Sequence, residues 1–311
     1  MKPILFASTR DFDCAEDMKV LFNAFDGPKD FVHVDPWRHH PAIRSGDYDI
    51  MVIDEYPTES PGKCIKIPHG ADGCKTVGLD QPYPYHSAQF ADLMTYVIST
   101  SKGTVDITAR SAGVDKDRVL PYGRTIWDTI IGKCKGDGGT DWANYRVYYY
   151  QPTYRGGNET PLPDINWQWL DDNLTYDELL TVRSHPMSGK VLDREYKHIR
   201  EYDHELPYTP YLIDCDVTIT DYSSSMIDAY IVNKPVVLFE KTPGYTKTRG
   251  MYFDYPYQYC PRYAASEPEL LEQARTAKRL SKTETDCRQL LASAGDGHTC
   301  ERICELIESM A

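Results

Sequence analysis

The sequence has no long hydrophobic run and a deficit of basic residues. Its 311 residues include 34 Lys and Arg against 47 Asp and Glu, a formal net charge of −13. Nucleic-acid-binding proteins usually carry a basic footprint, so this balance argues against a general polyanion binder and against attachment to an anionic membrane. The purely apolar stretches are short, as at residues 236–239, whereas a membrane-spanning helix needs about 20 residues. We therefore expect no transmembrane helix, no nucleic-acid partner, and membrane contact that is weak or absent.

The cysteines also lack the patterns of a disulfide framework or a metal site. There are nine, an odd number scattered from Cys14 to Cys304, and no Cys-x-x-Cys occurs. Unpaired thiols in a reducing cytosol account for this usage. The apolar segment near the N-terminus is too short for a secretory signal. We expect a cytoplasmic protein, with peripheral attachment at the inner membrane face left open.

Apolar runs alternate with amphipathic stretches along both halves of the chain. Candidate strands of the first half are residues 4–7, 31–34, 49–53, 64–67, 96–99 and 118–120. The second half has candidate strands at 146–150, 179–183, 217–220 and 235–239, and candidate helices at 167–173 and 225–232. This alternation indicates βαβ units with parallel sheets. The predicted fold class is therefore α/β, in two domains with a ligand cleft outside the carboxyl ends of the strands.

A glycine-rich polar segment at residues 132–139 separates the two halves. Its composition is typical of a flexible break between domains. We predict an N-terminal domain at residues 1–132 and a C-terminal domain at residues 140–311. Two amphipathic helices are expected to close the chain. The first is capped by Ser266 and Glu269 and its apolar face extends to Leu280. The last has an apolar stripe at residues 300–307 and is free to pack back on the N-terminal domain.

The most informative segment is the hydroxyl-rich turn at residues 223–225. It follows a β-branched strand that ends at Asp221, and it precedes a predicted helix. Backbone N–H groups at a helix N-terminus, with serine hydroxyls at the carboxyl end of a strand, bind phosphate well. Serines also cap helices without any ligand, and the sequence leaves both interpretations open.

Two histidines follow predicted strands and are expected to face the cleft from opposite domains. His69 precedes Gly70 in an Ile-Pro-His-Gly sequence, and His185 lies in an Arg-Ser-His-Pro sequence. An imidazole there can donate to a phosphate oxygen or take part in acid–base chemistry, although a lone histidine is more often structural. Among the cations, Arg155 and Arg183 each closely follow a strand, so we expect both to line the cleft.

Taken in chain order, these motifs resemble the CDP-glycerol glycerophosphotransferase family, the teichoic-acid-type polyol-phosphate transferases. The matching segments are His-Gly at 69–70, Tyr-Gly-Arg at 122–124 with Asp128, Pro-Thr-Tyr-Arg at 152–155, Arg-Ser-His-Pro at 183–186, Thr-Asp-Tyr-Ser-Ser at 220–224 with Asp228, Lys-Pro at 234–235, Arg-Gly-Met-Tyr-Phe-Asp-Tyr at 249–255 and Asp-Gly at 296–297. Each motif alone is weak, but their order and spacing together are specific.

The resemblance implies a GT-B fold, with two Rossmann-like domains whose parallel sheets face across a cleft. It implies that residues 1–132 form the acceptor-side domain and that residues 140–311 form the domain that binds the CDP-linked donor. It implies transfer of glycerol phosphate, or a related polyol phosphate, from CDP-glycerol or CDP-ribitol with release of CMP. The acceptor would be a hydroxyl of a polyol or glycan, lipid-linked or not, in the synthesis of a teichoic-acid-like surface polymer. No metal or other cofactor is expected, since the sequence has no histidine-rich cluster and no Asp-x-Asp in a cleft-like context.

By position, His69 matches the family's general base and His185 its contact to the donor pyrophosphate. Ser223 and Ser224 match the phosphate-binding hydroxyls. The other expected contacts are Thr220, Arg183 and Arg155 for the donor phosphates, and Gly70, Asp221, Arg249 and Asp254 for either substrate.

The chain departs from the family pattern directly after Gly70. Ala71 and Asp72 stand where the family commonly has a Thr-Pro pair, so the identity of the acceptor stays open. Two rival functions also stay open. One is a GT-B glycosyltransferase that uses a nucleotide sugar, and the other is a non-catalytic nucleotide-binding module.

Overall fold

The computed structural model describes residues 2–12, 15–35, 40–55, 57–68, 70, 87–153, 164–184, 190–203, 206–241 and 256–311. The chain divides into two compact units. The first comprises residues 1–131 and 289–311, and the second comprises residues 132–288. The last 23-residue segment therefore lies in the first unit, whereas the sequence-based division assigned residues 140–311 to the C-terminal domain and allowed its final helix to pack back.

The first unit contains a six-stranded sheet in which every neighbouring pair is parallel. Its strands are β1 (Ile4–Ser8), β2 (Lys29–His33), β3 (Ile50–Ile53), β4 (Lys63–Lys66), β5 (Tyr96–Ile98) and β6 (Val119–Leu120). Their order across the sheet is β2-β1-β3-β4-β5-β6. All residues of β1 and β3 are buried, as expected for parallel strands covered on both faces. The six strands predicted here are confirmed to within two residues at each end.

The second unit contains a second six-stranded parallel sheet. Its strands are β7 (Arg146–Tyr150), β8 (Glu178–Val182), β9 (Ile199–Glu201), β10 (Val217–Thr220), β11 (Val236–Phe239) and β12 (Tyr263–Ala264). Their order is β12-β11-β10-β7-β8-β9. The chain therefore starts in the middle of the sheet and moves outward in both directions, the arrangement of a doubly wound Rossmann-like fold. The four predicted strands are confirmed, and the short strands β9 and β12 were not predicted.

Seven of the helices that the structure describes lie between strands in the chain, and three follow the last strand, β12. They are α1 (Glu16–Ala24), α2 (Pro41–Arg44), α3 (Val105–Ala112), α4 (Trp127–Ile130), α5 (Trp167–Asn173), α6 (Thr209–Asp214), α7 (Ser225–Ile231), α8 (Glu267–Thr276), α9 (Lys282–Leu291) and α10 (Thr299–Met310). Short 3₁₀ turns occur at Ser87–Leu93, Lys102–Thr104, Lys116–Arg118 and Tyr257–Tyr259. No helix in these ranges is both long and apolar enough to cross a bilayer.

The last helix, α10, packs in the first unit through its apolar stripe. Ile303 and Ile307 are fully buried in one cluster with Met18 and Leu21 of α1. The start of α10 is capped from another helix, because the Asp128 carboxylate accepts hydrogen bonds from the amides of Thr299 (3.0 Å) and Cys300 (2.7 Å). A carboxylate at this position also interacts favourably with the helix dipole. The predicted stripe at residues 300–307 is thereby confirmed.

The Tyr-Gly-Arg segment at residues 122–124 supports the same corner of the first unit. Gly123 has a positive φ of 101°, and a Cβ there would lie 2.7 Å from Thr299 Oγ1 and 2.8 Å from the Ala294 carbonyl oxygen. Arg124 forms a buried ion pair with Asp17 of α1. These motif residues therefore contribute to packing within the first unit.

The end of the chain contains three helices rather than the two predicted. The predicted first helix included Leu280, but α8 ends at Thr276. Its final carbonyl groups are satisfied by Arg146, whose Nη2 donates to the carbonyl oxygens of Ala274 and Ala277 at 3.0 and 2.8 Å. A new helix, α9, then begins at Lys282, so the segment between them breaks the helical pattern.

The capping boxes of these helices also differ from the prediction. Ser281 and Glu284 form one at the start of α9, since the Glu284 amide donates to Ser281 Oγ (3.3 Å) and the Ser281 amide donates to Glu284 Oε2 (2.7 Å). At α8, the Ser266 hydroxyl makes no capping bond, and Glu269 accepts from the Ala265 amide at 2.9 Å instead. The Ser-x-x-Glu signal at 281–284 was present in the sequence and would have located α9.

Residues 132–139 are held by the second unit, which corrects the expectation of a flexible break. Asp214 at the end of α6 is 1% exposed and accepts hydrogen bonds from the amides of Gly136, Gly138 and Thr140 at 2.7, 2.9 and 2.9 Å. The Thr140 hydroxyl adds a fourth bond at 2.7 Å. A Cβ at Gly138 would lie 2.4 Å from the Pro210 carbonyl oxygen, so glycine there permits close packing. The glycines of this segment therefore allow it to pack against the second unit and do not make it a flexible linker.

Candidate functional site

The carboxyl edge of the second sheet gathers polar side chains from the loops that follow β7, β8, β10 and β11. The strands are parallel, so all four loops leave the sheet at the same edge. Ligands of open α/β sheets bind outside this edge. Of the residues predicted for the donor phosphates, the structure places Thr220, Arg183, Ser223 and Ser224 here. We call this edge the polar edge of the second unit.

Asp221 joins the loop after β10 to the loop after β7. Its Oδ1 accepts hydrogen bonds from the Thr153 amide (2.8 Å) and the Tyr222 amide (2.6 Å). The Thr220 hydroxyl donates to the Gln151 carbonyl oxygen at 2.7 Å. Both Thr220 and Asp221 are buried. These residues therefore shape the loops, and direct contact of either with a substrate remains a prediction.

The serine turn combines a weak cap with hydroxyls that the helix does not use. Ser223 Oγ accepts from the Ser225 amide at 3.3 Å, at the long end of hydrogen-bond distances. Ser224 is the N-terminal flanking residue of α7, but its hydroxyl makes no capping bond. Both side chains are partly exposed. Helix α7 has only seven residues, so its dipole is small, and the hydroxyls are the stronger feature of this turn.

Three buried side-chain oxygens at the polar edge have no hydrogen-bond partner within the described part of the chain. They are Ser225 Oγ, Thr153 Oγ1 and Gln151 Oε1. Ser225 and Thr153 are 3% and 2% exposed. Buried polar atoms nearly always form hydrogen bonds, so we expect a bound molecule or water to supply the missing partners of these three oxygens. Ser225 belongs to the predicted hydroxyl-rich turn, whereas Thr153 and Gln151 were not predicted as site residues.

Arg183 lies buried after β8, and its guanidinium is held by backbone. Its Nη2 donates to the Leu206 carbonyl oxygen at 2.8 Å, and its Cζ lies 5.8 Å from the centre of the Tyr208 ring. The Tyr208 hydroxyl in turn donates to Asp228 Oδ2 of α7 at 3.0 Å. Arg183 is thus fixed beside the polar edge, and its predicted contact to a phosphate remains a prediction.

A group of tyrosines surrounds Glu240, which directly follows β11. The Tyr257 hydroxyl donates to Glu240 Oε2, and the Tyr263 hydroxyl lies 3.4 Å from the same oxygen. Burial and the adjacent Glu240 carboxylate raise the pKa of both tyrosine hydroxyls, which therefore stay protonated as donors at neutral pH. Glu240 was not predicted as a site residue from the sequence. The available signal was a single acidic residue directly after an apolar strand.

Several predicted site residues lie outside the described residues: His69, His185, Arg155, Arg249 and Asp254. Gly70 is described and partly exposed, two residues after Pro68 near the carboxyl end of β4. The roles of the two histidines therefore remain predictions. Within the ranges that the structure covers, no three His, Cys, Asp or Glu side chains are grouped as metal ligands.

Comparison with known proteins links the chain to a family of transferases. A family model described as CDP-Glycerol:Poly(glycerophosphate) glycerophosphotransferase matches residues 47–309. The teichoic acid glycerol-phosphate primase of Bacillus subtilis (strain 168) is 23% identical over 263 residues, which cover 80% of this chain and 68% of the relative. The teichoic acid glycerol-phosphate transferase of Staphylococcus aureus (strain NCTC 8325 / PS 47) is 23% identical over 238 residues, 68% of this chain and 60% of the relative.

A third relative shows that the chain is shorter than some of the proteins it matches. The teichoic acid poly(ribitol-phosphate) polymerase of Bacillus spizizenii (strain ATCC 23059 / NRRL B-14472 / W23) is 24% identical over 234 residues, which cover 66% of this chain. The matched part is 38% of that polymerase. This chain therefore spans well under two thirds of the polymerase.

Solved structures show the same fold. The wall teichoic acid polymerase TagF superposes with a TM-score of 0.75 at 17% identity, covering 99% of this chain and 88% of that chain. The S. aureus MnaA–UDP co-structure superposes with a TM-score of 0.66 at 14% identity, covering 100% of this chain and 97% of that chain. At these identities the likeness concerns the fold alone. The prediction of a GT-B fold with two Rossmann-like domains is confirmed.

Proposed function

The chain belongs to the CDP-glycerol:poly(glycerophosphate) glycerophosphotransferase family, and we propose that it transfers glycerol phosphate or a related polyol phosphate from a CDP-linked donor to an acceptor hydroxyl. CMP is the second product. The observation that carries the proposal is the family match over residues 47–309, which includes parts of both units. The names of the relatives place the reaction in the synthesis of teichoic-acid-like polymers.

The polar edge of the second unit offers groups suited to the phosphates of such a donor. In the reaction, the acceptor oxygen forms a bond to the distal phosphorus, and the bond from that phosphorus to the bridging oxygen breaks. Negative charge then grows on the departing CMP. Hydroxyl donors such as Ser224, together with the buried hydroxyls of Ser225 and Thr153, can stabilise this charge because they are already positioned. The nearby Arg183 adds a positive charge.

The acceptor must lose its hydroxyl proton as the new bond forms. We assign this proton to His69 as general base, since an alcohol is a weak nucleophile and an imidazole titrates near neutral pH. His185 and Arg155 are assigned to the pyrophosphate of the donor. Family resemblance supports these three assignments, and the variants described below test the first.

We propose CDP-glycerol or CDP-ribitol as the donor and a polyol or glycan hydroxyl as the acceptor. The relatives include enzymes named for both polyols. We further propose a metal-independent reaction at the cytoplasmic side of the membrane, with a soluble or lipid-linked acceptor. Unchanged turnover in EDTA and weak binding to anionic vesicles are the expected results. A requirement for a divalent cation would refute the metal-independent reaction. Tight and salt-sensitive vesicle binding would refute the proposal that membrane contact is weak.

The experiment that tests the function measures release of the nucleotide product. The purified chain is incubated with CDP-glycerol, CDP-ribitol, or a panel of UDP- and GDP-sugars, with a polyol phosphate acceptor. We expect CMP from a CDP-polyol. Release of UDP or GDP from a sugar donor, with no CMP from any CDP-polyol, would support the glycosyltransferase alternative and overturn the proposal.

The variant His69→Ala tests the general base. Turnover should fall by about 100-fold or more, while the Kd for CDP-glycerol stays nearly unchanged. The exposed His298, which pairs with Glu301 on α10, provides the matched control, and His298→Ala should retain full turnover. A wild-type chain that binds CDP-glycerol but releases no CMP would instead identify a non-catalytic nucleotide-binding module.

A further inference from the structure

Glu240 is a buried carboxylate at the polar edge of the second unit. It is 5% exposed, and its backbone amide donates to the Ala264 carbonyl oxygen at 3.0 Å, which fixes its position after β11. Strand β11 is the direct neighbour of β10, the strand that leads into the serine turn. A buried carboxylate is costly unless its oxygens are satisfied, so its partners indicate its role.

One oxygen of Glu240 is held by tyrosine hydroxyls. Tyr257 donates to Oε2, and Tyr263 Oη lies 3.4 Å from the same atom. The other oxygen, Oε1, accepts no hydrogen bond from any side chain or amide that the structure describes. An ionised carboxylate oxygen accepts about two hydrogen bonds. Glu240 therefore presents an oriented acceptor with unused capacity.

Two aromatic rings lie beside this acceptor and are partly open to solvent. Tyr257 and Tyr263 are 45% and 43% exposed, and their ring centres are 6.0 Å apart. Binding sites for small polar ligands commonly combine aromatic surface with a few fixed polar groups. Aromatic faces suit the carbon face of a sugar or polyol, and the carboxylate suits its hydroxyl groups.

The tyrosine group is continuous with the turn proposed for the phosphates. The Tyr222 and Tyr257 hydroxyls are hydrogen-bonded at 2.9 Å, and Tyr222 directly precedes Ser223 in the chain. A negative carboxylate repels phosphate but accepts hydrogen bonds from neutral hydroxyls. The ligand that fits this arrangement has phosphate at one end and adjacent hydroxyl groups at the other.

We propose that Glu240 Oε1 binds a vicinal diol of the donor, with Tyr257 and Tyr263 packed against the carbon atoms that carry it. This inference rests on the proposed function. CDP-glycerol contains two such diols, the 2′,3′-diol of the ribose and the terminal diol of the glycerol. Both present the same chemistry to the carboxylate, and the ligands used in the test distinguish them.

The variant Glu240→Gln keeps the shape of the side chain and removes its charge. The Kd for CDP-glycerol, measured by calorimetry, should rise about 10-fold, because a hydrogen bond to a charged group becomes one to a neutral group. Glu178→Gln is the matched control. Glu178 is also a buried glutamate held by a tyrosine, Tyr148, at 2.6 Å, but it begins β8 at the opposite, amino edge of the sheet. Glu178→Gln should lower the Tm and leave the Kd for CDP-glycerol unchanged.

The Kd values of wild type and Glu240→Gln for CDP and 2′-deoxy-CDP show which of the two diols Glu240 binds. If it belongs to the ribose, the wild-type chain prefers CDP over 2′-deoxy-CDP by about 10-fold, and Glu240→Gln removes that preference. If it belongs to the polyol, Glu240→Gln binds CDP as the wild-type chain does and is weakened only toward CDP-glycerol. Either pattern supports the proposal.

A folded Glu240→Gln variant that binds CDP-glycerol as tightly as the wild-type chain would overturn the proposal and leave the proposed function intact. If that variant does not fold, Tyr257→Ala takes its place. It removes one of the two rings proposed to pack against the diol carbons while keeping Glu240, and unchanged affinity for CDP-glycerol there would overturn the proposal equally. A wild-type chain that binds no CDP ligand would refute the proposed function and this inference together.

Discussion

Replacing Asp214 by Asn tests whether residues 132–139 are anchored to the second unit as the structure shows. The carboxylate accepts four hydrogen bonds from that segment and from Thr140. Burial alone would raise the pKa of Asp214, but the hydrogen bonds from Thr140, Gly138 and Gly136 lower it overall. The folded state therefore favours the ionised form, and a neutral amide of the same shape removes that advantage.

The expected loss follows from the bonds that Asn cannot make. Its remaining oxygen can keep the bonds from Gly136 and Gly138, but its NH₂ group then faces the Thr140 amide, so one N–H···O bond of 2.9 Å is lost. A hydrogen bond to a charged group contributes about 1.5–3 kcal/mol and a neutral one about 1 kcal/mol. Gly139, which directly precedes Thr140, is exposed, so water can partly replace the lost partner. We expect local stability to fall by about 2 kcal/mol.

Amide hydrogen exchange measures this change directly, because 2 kcal/mol corresponds to about 30-fold less protection at Gly136, Gly138 and Thr140. Asp141→Asn is the control, since Asp141 is exposed, adjacent in sequence and carries the same charge. It should leave the protection unchanged. Unaltered exchange in Asp214→Asn, or an equal loss in Asp141→Asn, would refute the reasoning from the geometry.

Two further variants test packing and charge elsewhere. Gly123→Ala should lower the free energy of unfolding, measured by urea denaturation, by about 3 kcal/mol or more, because its Cβ would meet Thr299 and Ala294. Gly132→Ala is the control, since Gly132 also has a positive φ but nothing lies within 4 Å of the added Cβ. It should lower the free energy of unfolding by about 1 kcal/mol. Equal losses would contradict the crowding. For Glu178, burial raises the pKa, but hydrogen bonds from Arg275, Tyr148 and the Thr175 amide lower it to about 2. The ionised Glu178 therefore contributes fully to the free energy of unfolding above its ordinary pKa of 4.5, and this contribution is lost as the pH falls toward 2. The difference in the free energy of unfolding between wild type and Glu178→Gln should narrow over that pH range. A constant difference would exclude this role.

Local patterns in the sequence were sufficient to predict most of the strands and helices. β-Branched runs such as residues 217–220 and 146–150 form strands at the predicted positions, and residues 167–173 form the predicted helix. The elements that were missed are short or depend on distant partners. Strand β12 has two residues and exists through its pairing with β11, so its own sequence contains too little periodicity to identify it.

The candidate site was predictable where a motif follows a strand directly. Thr220, Asp221, Ser223 and Ser224 lie at the carboxyl edge of the second sheet, as the strand-then-turn pattern indicated. Glu240 could not be assigned in this way. It stands alone after its strand, and its relation to Tyr257 and Tyr263 depends on how β11, β12 and the turn between them pack.

The sequence by itself determined the α/β class, the parallel strands, the family, and the positions in the chain where polar turns follow strands. These properties depend on the periodicity and composition of neighbouring residues, which any reader of the chain can inspect. Only the tertiary structure decided which distant groups satisfy each other. Asp128 caps a helix that begins 171 residues later, and Asp214 holds a segment more than 70 residues before it. Such pairs form because burial requires every polar group to find a partner, and the packing of the folded chain determines which partner is within reach.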